Sequence, residues 1–181
     1  MLKNQQPRLY FAYGSNLNLE QMRVRCPKHQ VIGPARLPGY RLGFYGYSMN
    51  WDGAVATIIA EAGAEVWGVL YQLNIGDWGQ LDRFENVKDD GTGDYFHMPV
   101  EVINQQGELQ EATAYVKATL GTTVCPSTEY LQTILQGMES HQLPETYVAG
   151  LRSLETKPAG YAVPRRKNLD GPVGNACGDC G

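Results

Sequence analysis

Histidine and cysteine are scarce in this chain, with three of the first and four of the second among 181 residues. Cysteines at 26, 125, 177 and 180 are too few and too unevenly spaced for the disulfide framework of a secreted domain of this length, so reduced thiols are expected. His29, His97 and His141 are remote from any serine motif. Ser15 itself lacks the second glycine of a nucleophile elbow, which argues against a Ser-His-Asp triad. Basic residues are short too: Lys and Arg total 15 against 19 Asp and Glu, a net charge of −4. No broad positive field exists to recruit phosphate backbones or anionic lipid, so neither nucleic acid nor membrane is an expected partner. No segment approaches the ~20 apolar residues of a spanning helix. Residues 1–6 hold no apolar signal core, and a soluble, cytoplasmic protein is expected.

What is present reads as globular: 43% hydrophobic and 19% charged residues, with 21 Gly and 10 Pro, imply a packed core with many turns. Eleven tyrosines are the unusual entry in the composition. A chain of this length suits one core. From Lys157 onward there are three prolines, five glycines and few apolar residues, so that stretch builds no core element by itself. The expected division is a domain over 1–156 and a Gly/Pro-rich tail over 157–181.

Residues 8–13 are aromatic and strand-like, and they stop at the turn-forming Gly14-Ser15-Asn16. Asn18 is placed to cap a short helix over 19–25 that ends before Pro27. The stretch 31–46 predicts irregular strands broken by Pro34, Pro38 and glycines. The apolar runs 54–60 and 66–73, joined through Gly63, predict a hairpin. Asn74 and Asp77 resemble a helix start, with Leu81, Phe84 and Glu85 following near one face. A second hairpin is expected around Gly107, and helices over 127–140 and 144–154. Strands with scattered helices, but no regular βαβ unit, predict an α+β domain with a curved or barrel-like mixed sheet.

The run Tyr10-Phe11-Ala12-Tyr13-Gly14-Ser15-Asn16-Leu17 resembles the signature strand and loop of the γ-glutamylcyclotransferases and their AIG2-like relatives. Trp51-Asp52-Gly53-Ala54-Val55-Ala56-Thr57-Ile58, Glu65-Val66-Trp67-Gly68-Val69 and Leu81-Asp82-Arg83-Phe84-Glu85-Asn86-Val87 follow in the family's order. Tyr95 before Val100-Glu101-Val102, Tyr115 within Ala114-Tyr115-Val116, and Tyr130 complete the series, which covers about residues 8–155. Any one string is weak, whereas order and spacing together are specific. The resemblance implies the family's small mixed β-barrel with flanking helices. It also implies Glu85 as catalytic acid/base, and ligand contacts from Tyr10, Phe11, Ala12, Tyr13, Gly14, Ser15, Asn16 and Leu17, joined by Tyr95, Tyr115 and Tyr130.

Three features depart from the family pattern: Asn86 where a glycine commonly follows the catalytic Glu, a longer acidic loop over 88–94, and the Cys-containing tail. Asn16 in Tyr-Gly-Ser-Asn-Leu resembles the branch that is not specific for glutathione.

The implied reaction turns a γ-glutamyl amino acid, amine or amide into 5-oxoproline and a free amine. The substrate's α-amine attacks its own γ-amide carbonyl, so no enzyme nucleophile, cofactor or metal is required. Orienting such an intramolecular attack is worth roughly 7–11 kcal/mol. One carboxylate can accept the amine's proton and return it to the leaving nitrogen. Gly14 lets the loop turn and aim backbone N–H groups at an anion. The tyrosines add neutral donors and apolar faces, while Phe84 offers an apolar wall.

Set against this, Gly-Ser-Asn is by itself an ordinary turn, and Glu85 by itself an ordinary helix carboxylate. Asp82 and Glu101 are weaker candidates, expected to face solvent. Tyr45, Tyr47 and Tyr71 are expected as half-buried strand residues. Two other functions compete: a non-catalytic AIG2-like binding module, and a thiol or metal protein acting through Cys177-x-x-Cys180. That pair supplies two of a structural zinc site's four ligands. Cys26 and His29 are able to supply the others, but free or reversibly oxidised thiols are favoured.

Overall fold

A computed structural model describes residues 8–165. The chain runs β1 (Leu9–Ala12), a 3₁₀ turn (Ser15–Leu17), α1 (Leu19–Arg25), β2 (Gln30–Ser48), β3 (Gly53–Gln72) and α2 (Ile75–Phe84), followed by β4 (Tyr95–Asn104), β5 (Leu109–Lys117), α3 (Thr128–Ser140) and α4 (Glu145–Arg152). The strands close into a mixed barrel in the order β1-β3-β2-β4-β5. It is sealed by one parallel contact, Tyr10 with Thr113 between β1 and β5. Among the described residues no helix is long and apolar enough to cross a membrane.

Helix starts follow the polar caps. Asn18, Asn74 and Ser127 accept from the backbone amides of Gln21, Asp77 and Tyr130, satisfying donors that a helix leaves open at its first turn. The expected hairpin around Gly107 joins β4 to β5. The hairpin expected around Gly63 does not form. Residues 53–72 are one strand, antiparallel to β2 on both sides of the glycine, with Pro38 opposite Glu65 and Tyr40 opposite Ala60. The residues between Ala60 and Glu65 bulge opposite Gly39 alone, and Gly63 takes a φ of 82° inside that bulge. A strand cannot reverse while its partner continues in the same sense, so the reversal falls at residues 49–52 instead.

The stretch 31–46 is likewise one long strand rather than several. Beyond β3, β2 is paired with β4 only at Ala35 and Arg36, leaving Pro34 and Pro38 no ladder to interrupt on that edge.

The core gathers Phe11, Leu17, Met22, Val66, Val69, Leu70, Val102 and Ile134, all fully buried or nearly so. Tyr71 is not half-buried as expected but wholly buried, its hydroxyl 3.0 Å from His141 Nε2. Tyr45 is half-buried and Tyr47 exposed. Helix α3 lies directly on the 3₁₀ turn: a Cβ at Gly137 would stand 2.4 Å from the Leu17 carbonyl carbon, a distance only glycine permits. Residues 157–165 add no strand or helix of their own. They nevertheless lie across the β2–β3 turn, where Gly160 N donates to Asp52 Oδ2 (2.7 Å), Tyr161 Oη to the Met49 carbonyl (2.7 Å) and Arg165 N to the Asn50 carbonyl (2.9 Å).

Candidate active site

Where β1 ends, the chain turns into the 3₁₀ segment and brings Tyr13, Gly14, Ser15 and Asn16 against the last turn of α2. Glu85 stands at the C-cap of that helix, its side chain 15% exposed. Around it a small cavity is lined by Tyr10, Tyr13, Gly14, Ser15, Asn16, Ala56, Glu85, Tyr95, Tyr115 and Tyr130. The space is about 30 Å³, room for one or two waters, so a larger ligand has to widen it.

Of the residues singled out by resemblance, Tyr10, Tyr13, Gly14, Ser15, Asn16, Glu85, Tyr95, Tyr115 and Tyr130 meet here. Phe11, Ala12 and Leu17 do not line the cavity; each is fully buried in the core. Gly14 owes its place to space rather than to a left-handed backbone. Its φ is −112°, and a Cβ would press against Ala56 Cβ at 3.2 Å.

One oxygen of Glu85 is held firmly. Oε1 accepts from Asn16 Nδ2 at 3.0 Å and from Arg25 Nη1 at 3.1 Å. Asn16 also donates to Tyr10 Oη at 2.8 Å and takes Arg25 Nη1 on its own oxygen at 2.9 Å. The guanidinium lies over the Phe84 ring, 4.9 Å from its centroid. Among the described residues the other Glu85 oxygen, Oε2, carries no hydrogen bond. The amides of Ser15 and Asn16, at the open end of the 3₁₀ turn, find no acceptor among the described residues either.

The tyrosines serve the backbone as well as the cavity. Near Ala56 the edge of β3 lies beyond the reach of β1, and two phenols replace the missing neighbour. Tyr130 Oη accepts from Ala56 N at 3.0 Å, and Tyr95 Oη donates to the Ala56 carbonyl at 3.0 Å. Tyr13 Oη donates to the Tyr115 carbonyl. Burial above all, with the charge of Glu85 adding to it, pushes the phenols of Tyr10, Tyr13, Tyr95, Tyr115 and Tyr130 above the ordinary tyrosine range. They stay protonated and neutral through physiological pH.

Arg25 takes part without any motif signal, and Asp82, inside the Leu81–Val87 string, takes a larger part than its place as a weaker candidate implied. Expected to face solvent, Asp82 instead accepts from Tyr115 Oη at 2.6 Å and meets His97 Nε2 at 2.7 Å. Helical spacing could have suggested Asp82, since Glu85 lies three residues on, but the partners are remote in sequence. Glu101 lines a separate cleft of about 930 Å³, with Arg8, Leu37, Tyr40 and Pro99, and takes no part here. Cys26 is fully buried with Sγ 3.6 Å from the Asp77 carbonyl, and burial pushes its thiol up to about 12, unsuited to ligation or redox exchange. Cys177 and Cys180 lie outside the described residues.

A five-stranded barrel with a carboxylate facing a ring of neutral donors defines a class, and the comparisons agree with it. A model of the AIG2-like family matches residues 65–151. The γ-glutamylcyclotransferase of Bos taurus is 36% identical over 151 residues, spanning 81% of this chain and 78% of the bovine sequence. That of Homo sapiens is 34% identical over the same shares. A solved γ-glutamyl cyclotransferase structure superposes with a TM-score of 0.80 at 32% identity, covering 86% of this chain and 92% of the other. The chain belongs to the γ-glutamylcyclotransferase family.

Proposed function

We propose that this protein cyclises γ-glutamyl compounds to 5-oxoproline, with Glu85 as the single acid/base. The observation that carries the proposal is the asymmetry of Glu85. Among the described residues it is the one carboxylate lining the cavity, with Oε1 pinned by Arg25 and Asn16 while Oε2 is left open. In the reaction the substrate's α-amine attacks its γ-carbonyl carbon, forming the ring C–N bond. Oε2 takes the amine's proton and passes it to the leaving nitrogen as the original amide bond breaks. The amides of Ser15 and Asn16, without an acceptor among the described residues, serve the negative charge that develops on the carbonyl oxygen. Neutral phenols enclose the glutamyl chain without offering a competing charge. The compartment that suits buried, reduced Cys26 and free Cys125 is the cytoplasm.

The test is 5-oxoproline release from a panel of γ-glutamyl amino acids, amines and amides. Wild type should turn over at least one of them, and Glu85→Gln should lose ~10²–10⁴-fold in kcat while remaining folded. Equal rates for both proteins would remove Glu85 from the chemistry.

A further inference from the structure

His97 on β4 stands directly across from Tyr115 on β5, so their side chains share one face of the sheet. Asp82, one turn before Glu85 on α2, reaches both. Its Oδ1 lies 2.6 Å from Tyr115 Oη and 2.7 Å from His97 Nε2. A carboxylate offers acceptors only, so the phenol and the imidazole both donate to that one oxygen. The imidazole meets two rings edge-on, with centroids 5.7 Å from Trp78 and 5.0 Å from Tyr115, and the Arg8 guanidinium lies 4.7 Å over Trp78. Packing therefore fixes where the imidazole stands.

Stability does not account for this arrangement. The side chains of His97 and Asp82 are 30% and 33% exposed, and a pair so open to water adds little to folding. Tyr115, by contrast, is buried and lines the cavity beside Glu85. What the pair controls is the direction of the Tyr115 hydrogen. A phenol has one hydrogen to give, and with it directed at Asp82 the oxygen meets the cavity through its lone pairs alone. Tyr10 is the opposite case: its oxygen accepts from Asn16 Nδ2, and its hydrogen has no acceptor among the described residues. Bonded to Tyr115 alone, a part-exposed carboxylate is free to swing toward water and release the phenol. The second bond, from His97, removes that freedom.

A γ-glutamyl substrate carries N–H donors at its α-amine and at its scissile amide. We infer that His97 is a positioning residue for the reaction: through Asp82 it keeps the Tyr115 phenol turned as an acceptor toward a substrate N–H in the cavity. The inference rests on the cyclotransferase reading and adds to it a residue that does not line the cavity but on which its chemistry depends.

His97→Phe keeps a ring against Trp78 and Tyr115 but loses the N–H, whereas His97→Gln keeps a side-chain N–H donor. In 5-oxoproline release His97→Phe should lower kcat/KM about tenfold or more, and His97→Gln should restore most of it. Tyr115→Phe leaves no hydroxyl to direct, so adding His97→Phe to that variant should cost nothing further, a result that a merely structural role would not give. Asp82→Ala supplies a second cycle with Tyr115→Phe, with the same expectation. Calorimetric binding of γ-glutamyl-alanine to wild type, the single variants and the double variants reads the coupling without turnover. If wild type releases 5-oxoproline but His97→Phe matches it, or the losses add in the double variants, the positioning role is wrong and the activity stands. If turnover is absent yet binding shows His97 and Tyr115 coupled, the positioning stands and the activity is wrong. Without turnover, binding that is indifferent to His97 overturns the inference.

Discussion

Arg25 Nη1 lies 3.1 Å from Glu85 Oε1 and 2.9 Å from Asn16 Oδ1, tying the first helix, the signature loop and the C-cap of α2 to one guanidinium. The pair is largely buried, with side-chain exposures of 9% and 15%. Its partners lie 60 residues apart in sequence.

Arg25→Met should therefore cost about 3 kcal/mol, because it strands a carboxylate in a mostly buried site. For a chain of this size that is about 10 °C of melting temperature. The double variant Arg25→Met/Glu85→Gln should regain much of the loss while staying inactive, since a neutral amide needs no counterion. Additive losses in this cycle, read by thermal melts, would show that the two side chains are not coupled.

Tyr130 has two separable jobs. Its ring packs on Trp51 with centroids 4.8 Å apart, and its hydroxyl accepts from Ala56 N. Tyr130→Phe leaves a buried amide unpaired and should cost about 1–3 kcal/mol. Tyr130→Ala should in addition raise KM more than it lowers kcat, because it removes a wall of the cavity rather than the acid/base. Steady-state kinetics on both variants check this, and an unchanged KM in the alanine variant would make the ring purely structural.

His141 predicts a pH dependence of stability. Burial chiefly lowers its pKa below the ordinary 6.5, and Nε2 sits 3.1 Å from the Leu17 carbonyl, an acceptor only, so this nitrogen bears the hydrogen. The folded state keeps the imidazole neutral, whereas the unfolded chain protonates it below about 6.5. This contribution is complete above that pH and declines as the pH falls toward the folded-state pKa. Melting temperatures should drop from pH 7 to pH 5, and His141→Gln should show a shallower slope over the same interval.

Residues 158–165 donate four hydrogen bonds to the body of the domain, from Ala159 N, Gly160 N, Tyr161 Oη and Arg165 N. Three of them fasten the turn that carries Trp51 against Tyr130. A chain ending after Arg165 should melt and turn over as the full chain does. One ending after Lys157 should fold, lose about 2 kcal/mol and show a raised KM. Matching melts for the two truncations would make this segment dispensable.

Helix starts were legible because a cap is a local event: Asn18, Asn74 and Ser127 bond amides three residues on, within reach of any reading window. The β4–β5 hairpin was legible for the same reason. Gly63 misled because an isolated glycine between apolar runs marks a turn and a bulge equally well. Only the partner strand decides between them, and β2 is that partner on both sides.

By itself the sequence picked out Glu85, the signature loop and most of the tyrosines that line one cavity, through strings whose order is specific to one family. Tertiary structure alone decided that Phe11, Ala12 and Leu17 serve the core, that Arg25 holds Glu85, and that Asp82 holds Tyr115. Ion pairs and hydrogen bonds between residues 33 to 69 positions apart leave no periodicity or spacing in the chain. They exist only once the barrel has closed and brought α1, α2 and β5 around one cavity.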